Sequence, residues 1–158
     1  MPDRFDLSED LLTEAFSTLA KLLSLMRLSG YILACYAIVQ GILIIIGDDE
    51  RFSQRGYTTA MLIPQAPESW GWFLGMCGVI SFISLKNRLY RLGAIGMFMA
   101  GVWSFAFCGA FLVSAVQYPD ANLTAIATYG KDGLLFLLMA LAHQALSKAH
   151  TKPEAPNA

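Results

Sequence analysis

Two long apolar stretches without a charged residue constrain the fold of this chain more than any other feature. The first, "LSGYILACYAIVQGILIII", covers residues 28–46, and the second, "LGAIGMFMAGVWSFAFCGAFLVSAV", covers residues 92–116. A helix needs about 20 mostly apolar residues to cross the hydrocarbon core of a bilayer. Each stretch is therefore predicted to be a membrane-spanning helix.

The composition agrees with a lipid environment. Of the 158 residues, 56% are hydrophobic and 15% are charged, whereas soluble domains contain about 45–50% and about 25%. A soluble fold of this size leaves too much surface exposed to hide so many apolar side chains. Cys35, Cys77 and Cys108 lie within apolar stretches and form no CxxC pair, so we expect packing residues and no disulfide framework.

A further span is predicted from about Pro67 to Lys86. Its apolar part alone, residues 70–85, is short, but Pro67 suits the first position of a helix. Glu68 then lies at the positive end of the helix dipole. Trp70 and Trp72 follow at the depth where aromatic residues meet lipid headgroups, and we interpret them as interface anchors.

The last span is predicted within residues 124–146, and the chain before the first span has a different pattern. Apolar residues at steps of three and four predict an amphipathic helix that ends at Arg27. The sequence thus predicts an all-α protein: an integral membrane four-helix bundle (28–147) preceded by an amphipathic N-terminal helix (1–27) and followed by a flexible polar tail (148–158). The apolar stripe of the N-terminal helix consists of Leu12, Phe16, Leu19, Leu23 and Met26.

The distribution of basic residues predicts the orientation of the spans, because cytoplasmic loops of membrane proteins carry an excess of lysine and arginine. Apart from Lys131, eight basic residues fall on one side of the predicted membrane and two on the other. Both termini are therefore expected in the cytoplasm. The inner residues are Arg4, Lys21, Arg27, Lys86, Arg88, Arg91, Lys148 and Lys152, and the outer residues are Arg51 and Arg55.

Catalytic motifs do not emerge from the sequence. HExxH, GxSxG, P-loop and GxGxxG patterns are missing, and the only histidines are His143 and His150. We expect no enzyme, no catalytic residue, no cofactor and no metal site. His143 is expected at the inner interface, and the alternatives are that it binds a headgroup with Gln144 or carries a proton.

The adjacent residues Lys131 and Asp132 are the sharpest polar feature, since ionisable residues within a span are costly and often functional. Either the helix emerges into the interface near Lys131, or the pair provides a polar lining for a pore or an assembly contact. Neighbouring helical residues diverge by about 100°, so the two side chains do not share a face. Candidate partners are Gln40, Gln117 and Tyr118.

Small residues at helical spacing are candidates for helix packing or pore lining, because close backbone approach drives much of helix association in lipid. Gly71 and Gly75 form a GxxxG motif, and Gly96 and Ala100 repeat its spacing. The contacts could lie within one bundle or between protomers.

The outer stretch "RFSQRGYTTAMLIPQAPESWG", residues 51–71, carries a family resemblance together with the four-span layout. The chain resembles small four-span membrane proteins of actinobacteriophages, some of which are called holin-like because their genes lie beside lysis genes. The resemblance implies that protomers oligomerise in the host cytoplasmic membrane and permeabilise or depolarise it. Gly71, Gly75, Lys131 and Asp132 would be the contributing residues.

Two other functions remain open. One is a non-lytic phage or bacterial membrane protein that acts as an exclusion factor or as an accessory subunit of a host membrane complex. The other is a membrane enzyme or transporter, which is disfavoured because the spans lack a convergent ionisable cluster. The expected partners are the lipid bilayer and further copies of the chain, with no nucleic acid and no other identified protein.

Overall fold

The computed structural model describes residues 4–47, 52, 57–62, 65–118 and 123–150, with the side chains of 11–47, 52, 57–62, 65–118 and 124–148. These ranges form four long helices and no strand, which confirms the predicted all-α class. Arg51, Arg55, Lys152 and the tail from 151 onward lie outside the described residues. The helices are α1 (Arg4–Ile46), α2 (Glu68–Lys86), α3 (Tyr90–Gln117) and α4 (Leu123–His150), with a short 3₁₀ helix at Ala60–Leu62.

All four helices are long and apolar enough to cross a membrane. Large apolar side chains cover the outside of the described helices, as at Ile32, Met76, Ile95 and Leu138. Such a surface would be unfavourable in water and is suited to lipid, where the tails are as apolar as leucine. The chain is therefore a multi-pass membrane protein, as its composition predicts.

Helix α1 differs from the predicted division at Arg27, because it continues without a break from Arg4 to Ile46. At 1.5 Å per residue its 43 residues span about 65 Å, roughly twice the thickness of the hydrocarbon core. Residues 11–25 are exposed on every side. This part of α1, the projecting segment, extends beyond the bundle, and no other described helix covers its apolar stripe.

The bundle consists of two antiparallel helix pairs. Helix α1 packs mainly against α2, and α3 packs mainly against α4; α2 also packs against α3, while the diagonal pairs α1–α3 and α2–α4 touch least. A tight turn joins the pairs: Arg88 adopts a left-handed backbone conformation (φ 57°), and the N–H of Leu89 donates to the carbonyl of Ser84 at 2.8 Å. This six-residue closure is a Schellman motif. The end of the bundle that carries Lys86, Arg88, Arg91 and Lys148 is called the basic end below.

An aromatic core fills the opposite half of the bundle. Its neighbouring rings have centroids between 4.3 Å, as in Trp103–Phe107, and 6.5 Å, as in Phe107–Phe111. Aromatic pairs at such distances add stabilisation beyond simple burial. The protomer therefore has a packed interior in this half. The core consists of Phe52, Tyr57, Trp70, Trp103, Phe107, Phe111 and Tyr129.

The two predicted interface anchors have different environments. Trp72 is 63% exposed, which suits the predicted role, whereas Trp70 is only 3% exposed and packs against Phe107 at 4.7 Å between ring centroids. The prediction for Trp70 is therefore corrected: its ring belongs to the aromatic core. The two residues lie two positions apart on α2, so they point to different sides of the helix.

Part of the link between α1 and α2 packs on this end of the bundle. Ala60, in the short 3₁₀ helix, is 1% exposed, while Leu62 is 80% exposed. The hydroxyl groups of Thr59 and Ser114 form a hydrogen bond of 3.0 Å, which joins the link to the last turn of α3. The described part of this link thus caps the aromatic core.

Candidate functional site

The GxxxG motif of α2 packs against α1 within the same chain. A Cβ atom added to Gly71 would lie 2.5 Å from the carbonyl oxygen of Gly41, and one added to Gly41 would lie 2.6 Å from that of Gly71. At Gly75 an added Cβ would meet nothing closer than Gly41 Cα at 4.0 Å. A Cβ at Gly41 would also lie 2.7 Å from the backbone nitrogen of Gly75. The backbone of α1 at Gly41 therefore packs against both Gly71 and Gly75, but the Cβ position of Gly75 points away from the contact.

The second pair of small residues also lies inside the protomer. A Cβ atom at Gly96 would collide with Ser81 Oγ and lie 3.0 Å from the carbonyl oxygen of Cys77, so Gly96 forms the α2–α3 contact. Ala100 is 1% exposed. All four predicted small residues thus lie within the bundle, and a pore lining on the outer surface must come from other residues.

The predicted ionisable pair is split between the interior and the surface. Asp132 is buried, and its Oδ2 accepts a hydrogen bond of 2.6 Å from the hydroxyl group of Tyr36 on α1. The Lys131 side chain is 66% exposed, with its Nζ 3.5 Å from Asp132 Oδ1. The two residues diverge because each helical step rotates by about 100°.

This polar cluster lies close to the middle of the span. Lys131 is five residues from Phe136, the midpoint of α4, which corresponds to about 8 Å. Tyr36 lies opposite Phe136, with ring centroids 6.4 Å apart. Residues 34–38 of α1 contact Gly78, near the middle of the shortest span, α2. The Tyr36–Asp132 contact therefore lies inside the bundle and away from its ends, which favours the interpretation of the pair as a polar lining or an assembly contact.

Tyr36 belongs to the candidate site but does not stand out in the sequence. The candidate partners that the sequence offers for the pair are Gln40, Gln117 and Tyr118, and Tyr36 is not among them. The available signal was the phenol itself: a tyrosine at the centre of an apolar span needs a partner for its hydroxyl group. The pairing with Asp132 depends on how α1 and α4 are oriented about their long axes, and the sequence does not specify these orientations.

His143 occupies the centre of the bundle toward the basic end, instead of the predicted interface. It is 0% exposed, and within the described residues neither ring nitrogen has a hydrogen-bond partner. Two glycines make room for the ring: a Cβ at Gly30 would lie 2.9 Å from Nε2, and one at Gly93 would lie 3.4 Å from Nδ1. The histidine is thus enclosed by α1, α2 and α3, where Leu85 of α2 also reaches the Gly30 position.

Within the described ranges, no three His, Cys, Asp or Glu side chains come together as metal ligands would. Polar chemistry at membrane depth is concentrated in the Tyr36–Asp132–Lys131 cluster and at His143. No family model, no curated protein and no solved structure matches this chain, so its function must be inferred from the chemistry of these contacts.

Proposed function

We propose that the chain is a holin-like protein whose copies associate in the bacterial cytoplasmic membrane and depolarise it. The observation that carries the proposal is the exposed side chain of Lys131, which lies on the surface of α4 within the span, with the buried Asp132 as its ion-pair partner at 3.5 Å. A charge at the centre of a span costs roughly 2.5–3.5 kcal/mol on insertion scales. Contact with a second protomer, or with water between protomers, would relieve this cost.

The same face of α4 carries further polar groups. Thr124, Thr128 and Lys131 are all exposed, and their spacing of four and three residues places them on one side of the helix. The hydroxyl group of Thr128 donates to the carbonyl of Thr124 at 2.9 Å. These three residues, the polar stripe, run from the start of the span to near its middle.

The polar stripe supports an ion path between protomers more than one through a protomer. The aromatic core occupies the interior of one half of the bundle, and Phe136 is 1% exposed at its middle. A side-chain-filled interior leaves no aqueous channel. The proposed function is therefore physical, through assembly and ion leakage, and involves no catalysed reaction.

The proposed membrane orientation has both termini in the cytoplasm. Its support is the clustering of Lys86, Arg88, Arg91 and Lys148 at one end of the bundle, together with the rule that cytoplasmic loops carry the excess of basic residues. The polar stripe then begins at the outer surface and reaches inward.

Expression of the full chain in a bacterium, monitored with a membrane-potential dye, tests the proposal. The wild-type chain is expected to cause an abrupt loss of potential. Lys131→Leu should reduce the depolarised fraction of cells severalfold at equal protein abundance in the membrane. Lys86→Leu is the matched control, because Lys86 lies at the basic end, where a charge is easily solvated, and it should behave as wild type.

Either of two results would reject the holin-like function. The first is an unchanged potential in cells with abundant wild-type protein in the membrane. The second is full depolarisation by Lys131→Leu, because ion leakage would then not depend on the charge of Lys131.

The projecting segment favours a second candidate function, a non-lytic exclusion factor or accessory subunit. Phe16 is 68% exposed and Leu19 is 51% exposed, and an uncovered apolar stripe of this kind commonly binds another protein. This function predicts normal growth and resistance to a second phage. Replacing Phe16 and Leu19 by serine should remove the resistance while leaving membrane insertion intact.

A further inference from the structure

We propose that the groove between α3 and α4 at the basic end binds an anionic phospholipid. The groove has a volume of about 670 Å³ and combines two kinds of wall. Arg91, Lys148 and Gln144 lie at its polar mouth, and Phe98, Leu137 and Leu141 line its apolar part. The phosphate group would bind at the mouth, with an acyl chain along the apolar part.

The groove exists because small residues replace large ones where the two helices diverge. Nearer the middle of the bundle the helices are in close contact: a Cβ at Gly101 would lie 2.9 Å from Leu137 Cδ2. Toward the basic end Ala94 and Ala140 form part of the lining. Side chains of one carbon cannot fill the space between the helices, so a shallow channel remains open toward the lipid.

The mouth of the groove is positively charged and fixed in position. Arg91 Nε donates to Ser147 Oγ at 3.2 Å, which connects the guanidinium group to α4. This bond uses one of the five N–H donors of an arginine. Neither α3 nor residues 133–148 of α4 contains an Asp or Glu, so these segments place no carboxylate beside Arg91.

The apolar part of the groove distinguishes a phospholipid from a soluble anion. Phe98 lies seven residues along α3 from Arg91, or about 10 Å, which is most of the depth of one leaflet. Phe98 is 52% exposed and Leu141 is 62% exposed, so a free phosphate would leave both uncovered. Basic pockets between transmembrane helices at a membrane surface are typical sites for anionic headgroups.

Native mass spectrometry of the full chain in detergent micelles tests this site. The first phosphatidylglycerol molecule should bind more tightly than the first phosphatidylcholine. Arg91→Gln and Lys148→Gln should each weaken phosphatidylglycerol binding by about fivefold, since each basic residue near the surface contributes about that factor. Arg88→Gln is the matched control, because Arg88 is exposed in the α2–α3 turn and does not line the groove; it should retain wild-type binding.

A groove-filling variant and a soluble competitor complete the test. Ala140→Leu should remove the first phosphatidylglycerol by occupying the channel while leaving both charges in place. Equal affinity for the two lipids, an Arg88→Gln effect as large as that of Arg91→Gln, or unchanged binding by Ala140→Leu would each overturn the proposal. Displacement of the lipid by millimolar inorganic phosphate would also overturn it, because the site would then recognise the anion alone.

Discussion

At the scale of single residues, the hydrogen bond between Tyr36 and Asp132 is the strongest polar contact in the described interior of the bundle. A short O–H···O bond to a carboxylate is stronger than a neutral one, and its length of 2.6 Å lies in that range. Removing one partner leaves the other buried and unsatisfied, which is more costly than removing both. This asymmetry makes the pair testable by a double-mutant cycle.

Tyr36→Phe is expected to lower the free energy of unfolding by roughly 1–3 kcal/mol. The same substitution should cost less in an Asp132→Leu background, since the acceptor is then absent. Unfolding in mixed detergent micelles, followed by circular dichroism, measures both. Tyr31→Phe is the control, because the Tyr31 ring packs edge-on against Phe82 and should keep that contact. Equal losses in both backgrounds would show that the hydrogen bond contributes nothing.

The contact between Gly30 and His143 gives a second residue-scale prediction. Gly30→Ala would place a methyl group 2.9 Å from His143 Nε2, and overpacking of this kind costs about 1–3 kcal/mol. In a His143→Ala background the part of this cost that is due to the ring should disappear, while the contact with Leu85 Cδ1 at 3.1 Å remains. Gly109→Ala is the control, since an added Cβ there has nothing within 4 Å. Additive effects of the two changes, measured by the same unfolding assay, would contradict the described position of the ring.

Hydropathy and helix geometry predict some features of single residues and miss others. Lys131 and Asp132 stand out in any hydropathy plot, and their divergence follows from helix geometry alone. For His143 the sequence predicts the correct end of α4, but it predicts an interface position where the structure has a fully buried ring. The rotation of α4 brings its ring between Gly30 and Gly93, two residues of other helices, and helix rotation is set by packing that a single span does not encode.

At the scale of the elements, α1 shows how two predicted segments become one helix. The amphipathic stripe and the first span share the same helical period, and no proline lies between Arg4 and Ile46 to interrupt it. Its internal glycines, Gly30 and Gly41, both occupy close contacts. The predicted boundary at Arg27 marks a change in the polarity of the sequence. Such a change alters what surrounds the helix, but it does not end the helical backbone.

The α1–α2 contact predicts different roles for the two glycines of one motif. Gly71→Ala would bring a Cβ to 2.5 Å from a backbone carbonyl and 2.6 Å from Ile45 Cγ1, so the helices would have to separate. We expect a loss of stability of about 1–3 kcal/mol. Gly75→Ala should be nearly neutral, because its new methyl group meets nothing closer than 4.0 Å. Detergent-induced unfolding measures the stability of both variants. Equal losses of stability would contradict the described register of α1 and α2.

At the scale of the whole molecule, helix packing does not determine the orientation in the membrane, because an antiparallel bundle with an apolar exterior fits a bilayer either way up. The asymmetry lies in the charges at the basic end and in the length of α1. The projecting segment carries Lys21 on the same side as that end, and Arg27 follows where α1 enters the bundle beside Leu85. Arg27 itself donates to the carbonyl of Leu85 at 3.4 Å.

Single-cysteine labelling tests this orientation in a chain in which Cys35, Cys77 and Cys108 are replaced by alanine. Leu62→Cys, at an 80% exposed site opposite the basic end, should react with an impermeant maleimide in intact spheroplasts. Asn87→Cys, exposed in the α2–α3 turn, should react only after permeabilisation. Moving basic residues across the membrane is costly. The side with eight basic residues is therefore expected in the cytoplasm, and the side with two is expected outside.

Leu22→Cys adds an independent readout, because Leu22 is 52% exposed in the projecting segment. A continuous α1 requires Leu22→Cys and Asn87→Cys to react under the same condition, whichever way the bundle is inserted. Labelling of both in intact spheroplasts, with Leu62→Cys protected, would invert the orientation and preserve the fold. Labelling of Leu22→Cys and Leu62→Cys on one side, with Asn87→Cys on the other, would contradict a membrane-spanning α1, since an odd number of crossings must separate residues 22 and 62.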